Sequence, residues 1–418
     1  MTRPAHSSLK ERKLHHALGP GLITGASDDD PSGIATYSSA GAAFGFSFLW
    51  TSIVTFPLMA TLQEMCARIG LITGHGLAGI VKRNYPPWIL YTLLLVCFPA
   101  IILNIGADLA GMGAVAHMIY PEISDHEFSF AFMFIILVSI VYFDYHRIAR
   151  ILKWLCITLL CYCIVPFIIH VDWQEVLLRT FVPDIQFNYD YLIMLTAILG
   201  TTISPYLFFW QTTSEAEEKA EKKIMVDKQQ IEEMRFDVRT GIGFSNLVFY
   251  FIILTAGSVL FPNGIREIAT VEDAASALAP IAGKNAYLLF SIGVIGTGFL
   301  AIPVLAGSIS YALSETFGWK EGLSKKFYEA KNFYLVIFFS LVIALSIQFM
   351  GISPVKALFY TAVAYGVTCP VTIALILHIC NNKKIMGAAT NGKKSNIIGI
   401  ATLVLMTVAI VVLAIDFL

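Results

Sequence analysis

Three consecutive carboxylates stand inside an apolar stretch, in the run Ala26-Ser27-Asp28-Asp29-Asp30-Pro31-Ser32-Gly33. A second run, Gly200-Thr201-Thr202-Ile203-Ser204-Pro205-Tyr206, again brings small polar residues to a proline. Proline removes a backbone donor and glycine lowers helix propensity, so each run is expected to unwind a helix. Unwinding frees backbone carbonyls, for example those of Asp28 and Thr201. Asp30 directly precedes the first break and can point its carboxylate into the gap, and Ser204 and Thr202 add hydroxyls. Neither broken segment contains His, Cys or Met. An all-oxygen donor set suits hard cations, Mg²⁺, Ca²⁺ or Mn²⁺, over softer transition metals. Clustered acids argue for a cation and against an anionic substrate. One strong carboxylate with few side-chain ligands fits a partly hydrated Mg²⁺, which gives up water reluctantly.

The elements that must position these residues are membrane helices. Of the 418 residues, 57% are hydrophobic and only 14% charged, with a mean hydropathy of +0.72. Ordinary soluble domains carry roughly a quarter charged residues, so a soluble enzyme, a disordered chain and a nucleic-acid binder are excluded. The formal net charge of -1 gives no global field to steer a charged partner. Apolar runs predict eleven spans, at 17–43, 45–69, 87–119, 128–145, 149–170, 189–212, 239–261, 284–313, 332–350, 353–380 and 396–416. With the N-terminus in the cytoplasm, all Lys and Arg fall inside except Arg179, Arg266, Lys284 and Lys356, as the positive-inside rule requires. The C-terminus then lies outside. Residues 1–16 form a polar, basic cytoplasmic tail without the h-region of a signal peptide, and 17–418 form one transporter domain.

Three carboxylates facing lipid would each cost several kcal/mol, so the first break is expected to line a polar cavity. The breaks fall in the first helix of each of two five-helix blocks, spans 1–5 and 6–10. Paired interruptions of this kind point to an inverted-repeat transporter with its site at the midplane. On span three, Asn104 and Asp108 are four apart and share a face; they read as a buried hydrogen-bonded pair or as part of an ion path. Glu64 and Arg68 have the same spacing and read as an ion pair. The charged stretch 213–238 reads as a short cytoplasmic helix laced by i,i+4 pairs. The seven cysteines lie in or beside apolar runs and read as packed free thiols. No metalloprotease, nucleotide-binding or nucleophile-elbow motif stands in the loops.

The chain resembles the NRAMP (natural resistance-associated macrophage protein) divalent-metal transporters over most of its length. The resemblance rests on Gly19-Pro20-Gly21, Asp30-Pro31, Phe44-Gly45, the run from Ala67-Arg68-Ile69-Gly70 through Thr73-Gly74, and Asn382-Lys383-Lys384-Ile385-Met386-Gly387. It implies an all-α membrane protein of LeuT-like fold with eleven transmembrane helices, broken helices 1 and 6, and alternating access. The chain departs from the family where the metal is held. Asp-Pro-Gly-Asn is here Asp30-Pro31-Ser32-Gly33, so Gly33 replaces an Asn ligand. Met-Pro-His is here Ser204-Pro205-Tyr206, so a hydroxyl replaces the thioether and a phenol the proton-linked histidine. Asp108 is kept, but its partner acid aligns with Gly111, and the helix-ten glutamine aligns with Thr368. These changes resemble the NRAMP-related magnesium transporter branch, whose wider site holds a more hydrated ion without proton coupling.

The expected function is secondary transport of a divalent cation, Mg²⁺ ahead of Mn²⁺, without proton coupling. The expected metal site is Asp30, Asp28, Asp29, Ser204 and Thr201, with Asp29 raising the local negative potential. Gly33, Tyr206 and Thr368 complete the substrate site. A proton-coupled Mn²⁺/Fe²⁺ symporter and a sodium-coupled amino-acid carrier of related fold are the alternatives. No cofactor is expected apart from the transported ion, and no nucleic-acid partner. The expected setting is a monomer in the lipid bilayer of the cell (inner) membrane.

Overall fold

The computed structural model describes residues 19–143, 159–223 and 226–417. The expected tail 1–16 and residues 149–158 of the fifth span lie outside the described residues. The described residues carry no strand. In the apolar interior of a bilayer every backbone polar group must be paired locally, which is what a helix does.

The first predicted span is two helices, α1 (Pro20–Asp28) and α2 (Pro31–Phe44). There follow α3 (Leu49–Thr73), the short α4 (Leu77–Asn84), α5 (Pro87–Ile119), α6 (Asp125–Tyr142), α7 (Leu160–Ile168) and α8 (Trp173–Phe181). The sixth predicted span is again split, into α9 (Tyr189–Thr202) and α10 (Pro205–Lys222). Then come α11 (Lys228–Val259), the short α12 (Val271–Ser276), α13 (Ala286–Phe317), α14 (Lys331–Ser346), α15 (Pro354–Asn381) and α16 (Lys393–Phe417). Eight helices among the described residues are long and apolar enough to cross a membrane, with α9 and α10 taken as one. The other three predicted spans are the split α1–α2, the more polar α3, and the fifth, which lies partly outside the described residues.

Both breaks are built alike. Asp29 and Asp30 separate α1 from α2, Ile203 and Ser204 separate α9 from α10, and each second half starts with proline at its first position. Proline is tolerated there because its missing N–H is one that a helix start leaves free anyway. The halves α1 and α2 both pack on α11, α9 packs on α15, and α5 packs on α13 and α15. The glycines Gly21 and Gly25, one turn apart on α1, let its backbone touch that of α11 at Val238 and Gly241.

Two expectations at the end of the bundle carrying the α10–α11 connection are corrected. The stretch 213–238 is not a separate helix. Its residues 213–222 are the end of α10 and 228–238 the start of α11, both of which outrun the apolar spans, with Lys222 paired to Glu218 one turn back. Glu64 does not pair with Arg68. It takes Arg235 at 2.7 Å and Arg239 at 3.4 Å from α11, while Arg68 bonds Asn391. The N-terminal part of α11 brings two guanidinium groups to Glu64, and Arg68 lies on a face turned toward the start of α16.

Candidate functional site

The first break sets the directions of its three aspartates. Asp28 is the last residue of α1, Asp29 follows it at φ -83°, ψ 52°, and Asp30 is extended at φ -71°, ψ 170°. Neighbouring residues with such different backbones send their side chains different ways. Asp30 caps α2 by accepting the Gly33 N–H at 2.7 Å, the reason an aspartate suits this position. Its other oxygen accepts Asn104 Nδ2 at 2.9 Å from α5. The same Nδ2 lies 3.3 Å from Asp108 Oδ2, so one amide bridges two carboxylates. Asp28 and Asp29 face α11 instead, where Ser245 Oγ lies 2.8 Å from Asp28 Oδ2 and 3.0 Å from Asp29 Oδ1.

The expected single cluster of Asp28, Asp29, Asp30, Thr201 and Ser204 is therefore divided, with Asp30 on the α5 side and Asp28 and Asp29 on the α11 side. Among the described residues no three His, Cys, Asp or Glu side chains converge as a metal cage. What the break does concentrate is buried negative charge. Asp28, Asp29, Asp30 and Asp108 are each at most 2% exposed, and among the described residues none forms an ion pair.

The second break shows where the freed carbonyls go. Pro205 has no N–H for the carbonyl of Thr201, and Ser204 Oγ takes it at 2.6 Å, also lying 3.0 Å from Gly200 O. The hydroxyl proton of Ser204 is thus spent on its own chain, and only its lone pairs can face a cation. Pro31 likewise frees the carbonyl of Ser27, and Tyr206 donates its phenol to it at 3.0 Å. Thr202 Oγ1 donates to Ile198 O at 2.7 Å and lies 3.1 Å from the Tyr37 phenol. Packing at Gly33 is close: a Cβ there would sit 3.3 Å from the Asp28 carbonyl and from the Tyr37 ring, and 3.5 Å from Asp30 Oδ1.

Thr368 lies one heptad after Thr361, whose hydroxyl is 3.1 Å from Ser32 Oγ at the first break. The Thr368 hydroxyl bonds Tyr365 O in its own helix and the residue is half-buried. Toward the second break the same helix presents Tyr365, whose ring lies 5.7 Å from that of Tyr206, and Cys369, whose Sγ lies 2.9 Å from Ile203 O. Sequence reasoning missed Tyr365 and Ser245. The signal for Ser245 was the polar pair Ser245-Asn246, set between apolar residues in the middle of the span. Tyr365 had none beyond its one-turn register with Cys369. Gly111 carries no acid beside Asp108 and faces Pro31 and Leu358.

Such an arrangement, with two helix C-terminal ends, freed carbonyls and unpaired carboxylates around one gap, favours a cation. The chain matches the family described as natural resistance-associated macrophage protein-like over residues 21–416. It is 22% identical over 401 residues to the divalent metal cation transporter MntH of Caldanaerobacter subterraneus subsp. tengcongensis, covering 94% of this chain and 91% of that one. It is 23% identical to MntH of Clostridium acetobutylicum, covering 93% and 88%. Among solved structures it superposes on the manganese transporter of Eremococcus coleocola with a TM-score of 0.75 at 15% identity, covering 98% of this chain and 87% of that one. The nucleobase-cation-symport-1 family transporter Mhp1, in a closed conformation, gives a TM-score of 0.59 at 12% identity, covering 95% and 92%.

Proposed function

The chain belongs to the natural resistance-associated macrophage protein-like (Nramp) family, and on that premise we propose that it carries a divalent metal cation, Mg²⁺ ahead of Mn²⁺, across a membrane by alternating access and without proton coupling. Members of the family are membrane transporters rather than enzymes, and the chain is an integral, multi-pass membrane protein of LeuT-like fold.

The observation that carries the reading is the set of four buried carboxylates, Asp28, Asp29, Asp30 and Asp108, with no Lys, Arg or His paired to them among the described residues. Buried charge of one sign is expensive unless it is compensated, and a transported cation supplies the compensation. Asp30 is the residue assigned to the ion, directly or through water, with the carbonyls of Asp28 and Thr201 and the lone pairs of Ser204 beside it. Asp29 adds negative potential. The preference for Mg²⁺ rests on Ser204, which offers no sulfur, and on Gly33, which offers no side-chain ligand to replace the ion's water. The absence of proton coupling rests on Tyr206, whose phenol is engaged with Ser27. The setting proposed is a monomer in the inner membrane with the N-terminus inside.

The test is uptake of Mg²⁺ and Mn²⁺ into proteoliposomes with an internal pH dye. Mg²⁺ influx without acidification, lost in a folded Asp30→Ala variant, is the expected result. Mn²⁺ influx with acidification and no Mg²⁺ influx would overturn the Mg²⁺ and coupling assignments and leave a proton-coupled manganese carrier.

A further inference from the structure

We propose that the loop joining α15 to α16 binds the phosphate headgroup of an anionic phospholipid, whose acyl chains lie along the exposed face of α16. The inference needs only that the chain spans a bilayer, and it does not depend on which ion is carried.

The loop and the first turn of α16 carry two lysine pairs, Lys383-Lys384 and Lys393-Lys394, all exposed. No acid answers them from their own stretch of chain, since the sequence has neither Asp nor Glu between Glu329 and Asp416. None of the four forms an ion pair among the described residues. Lys393 and Lys394 open α16. A helix start already carries partial positive charge, so lysine is disfavoured there and an anion is favoured.

A fifth positive charge lies against the loop. Arg68 is 3% exposed, bonds Asn391 Oδ1, and has beside it the Cys380 thiol, a weak neutral acceptor. Its Nε has no hydrogen-bond partner. It too forms no ion pair among the described residues, and Glu64 one turn back is held by Arg235 and Arg239. A buried guanidinium without a counter-ion is costly. Amides close the loop over it. Asn381 and Asn396 bond each other twice at 2.8 Å, Asn391 Nδ2 bonds Asn396 Oδ1 at 2.9 Å, and the Asn391 N–H bonds Cys380 O at 3.0 Å. Asn381 stands two residues before Lys383 and Asn396 two after Lys394, so this clasp holds both lysine pairs on one closed loop.

An anion seated on the loop would balance this charge, and α16 favours one with acyl chains. Ile397, Ile400, Val404, Val408 and Val411 are exposed and recur at the three- and four-residue spacing of a single face. Lys393 stands one turn before Ile397 on that face. The stripe runs about 21 Å at the rise of a helix, more than one leaflet's half of a hydrocarbon core about 30 Å thick. A soluble anion would use the lysines alone, whereas a phospholipid uses the lysines and the stripe together. Four or more basic residues beside a spanning helix attract anionic headgroups in this way.

The test titrates the full chain, purified in dodecyl maltoside, with dioleoylphosphatidylglycerol or with zwitterionic dioleoylphosphatidylcholine, and reads the melting midpoint. A ligand that binds the folded state raises it. Phosphatidylglycerol should raise the midpoint and phosphatidylcholine should not. Lys393→Gln with Lys394→Gln should raise the half-saturating lipid concentration roughly tenfold or more, and replacing all four lysines by Gln should remove the rise. Lys325→Gln with Lys326→Gln makes the same charge change in the α13–α14 connection, near Glu321 and Glu329, and should leave the rise intact. All six side chains are exposed, so the substitutions leave the packed core untouched. Three outcomes overturn the inference and leave the transport reading standing. An equal loss in the Lys325 and Lys326 variant would mean diffuse attraction to the charged end of the molecule. An equal rise with inorganic phosphate would mean a site for soluble anions, and no rise with phosphatidylglycerol would mean no lipid site.

Discussion

The phenol of Tyr206 donates to the backbone carbonyl of Ser27 at 3.0 Å, and so ties the second half of one broken helix to the first half of the other. The bond exists because Pro31, four residues after Ser27, has no N–H to offer that carbonyl. The second break repeats the logic with Pro205, Thr201 and the hydroxyl of Ser204. Each proline frees one carbonyl, and each freed carbonyl is held by a hydroxyl from the α9–α10 break. An ion that takes either carbonyl as a ligand must compete with that hydroxyl, which makes the two bonds part of the balance between ion-bound and ion-free states.

Tyr206→Phe should therefore leave the Ser27 carbonyl without its donor. Removing one partner of a buried hydrogen bond costs about 1–3 kcal/mol. Thermal melting of the purified protein should show a lowered midpoint in the absence of metal, and added Mg²⁺ should recover more stability in the variant than in the wild type. Equal midpoints for the two proteins without metal would mean that the bond contributes nothing.

The backbone contact between α1 and α11 gives a second prediction. A Cβ on Gly25 would overlap the backbone of Gly241, which cannot rotate away as a side chain can. Gly25→Ala should force the helices apart and cost about 1–3 kcal/mol or more. Gly264→Ala serves as a control for space alone, since nothing lies within 4 Å of the added atom, although its φ of +78° carries a backbone penalty of its own. A melting midpoint for Gly25→Ala no lower than that of Gly264→Ala counts against close packing as the role of Gly25.

Much of the helical architecture is legible in the sequence, because apolar length and the placing of Lys and Arg follow from the bilayer. Breaks are harder to read than their prolines suggest. Pro57, Pro99, Pro303 and Pro370 all lie inside continuous helices. What distinguishes Pro31 and Pro205 is the residue before each, Asp30 and Ser204, both of types suited to a helix start. The grouping of the carboxylates was not legible. Asp28, Asp29 and Asp30 read as one cluster, and only the backbone angles at the break turn two of them to Ser245 and one to Asn104. Tyr365 and Cys369 were not legible for a related reason: a helix face is set by packing, and it is packing that brings them against Tyr206 and Ile203.

The connection between α13 and α14 carries a pH-dependent group outside the spans. Burial pushes Glu321 up to about 8, with the carboxylates of Glu315 and Glu217 adding to the shift and Lys325 opposing it. An acid raised in the folded state binds its proton more tightly there than when unfolded. Its contribution to stability is full below the unfolded value near 4.5 and is lost as pH rises through about 8. The melting midpoint should fall between pH 5 and 9 in part through this group, and Glu321→Gln should flatten the slope over that window. An unchanged slope would place the dependence on other groups.

Ion preference gives the sharpest prediction, because two residues at the breaks can be exchanged for the types that the family resemblance supplies. Ser204 presents oxygen lone pairs where a thioether would favour softer metals. Gly33 supplies no ligand and lies close to the Asp28 carbonyl, the Tyr37 ring and Asp30. A side chain at 33 meets two of these neighbours at 3.3 Å from its Cβ, so Asn there fits only tightly and supplies a ligand in place of bound water. The double variant Ser204→Met with Gly33→Asn should therefore bind a less hydrated, softer ion. The ratio of Mn²⁺ to Mg²⁺ influx, measured side by side in proteoliposomes, should rise roughly tenfold, within the range that a changed pocket contact can supply. Ser204→Met alone should move the ratio less, since it adds one ligand rather than two. A ratio that does not move in the double variant would mean that neither the hydroxyl nor the missing side chain sets the preference, and that selection is made elsewhere along the path.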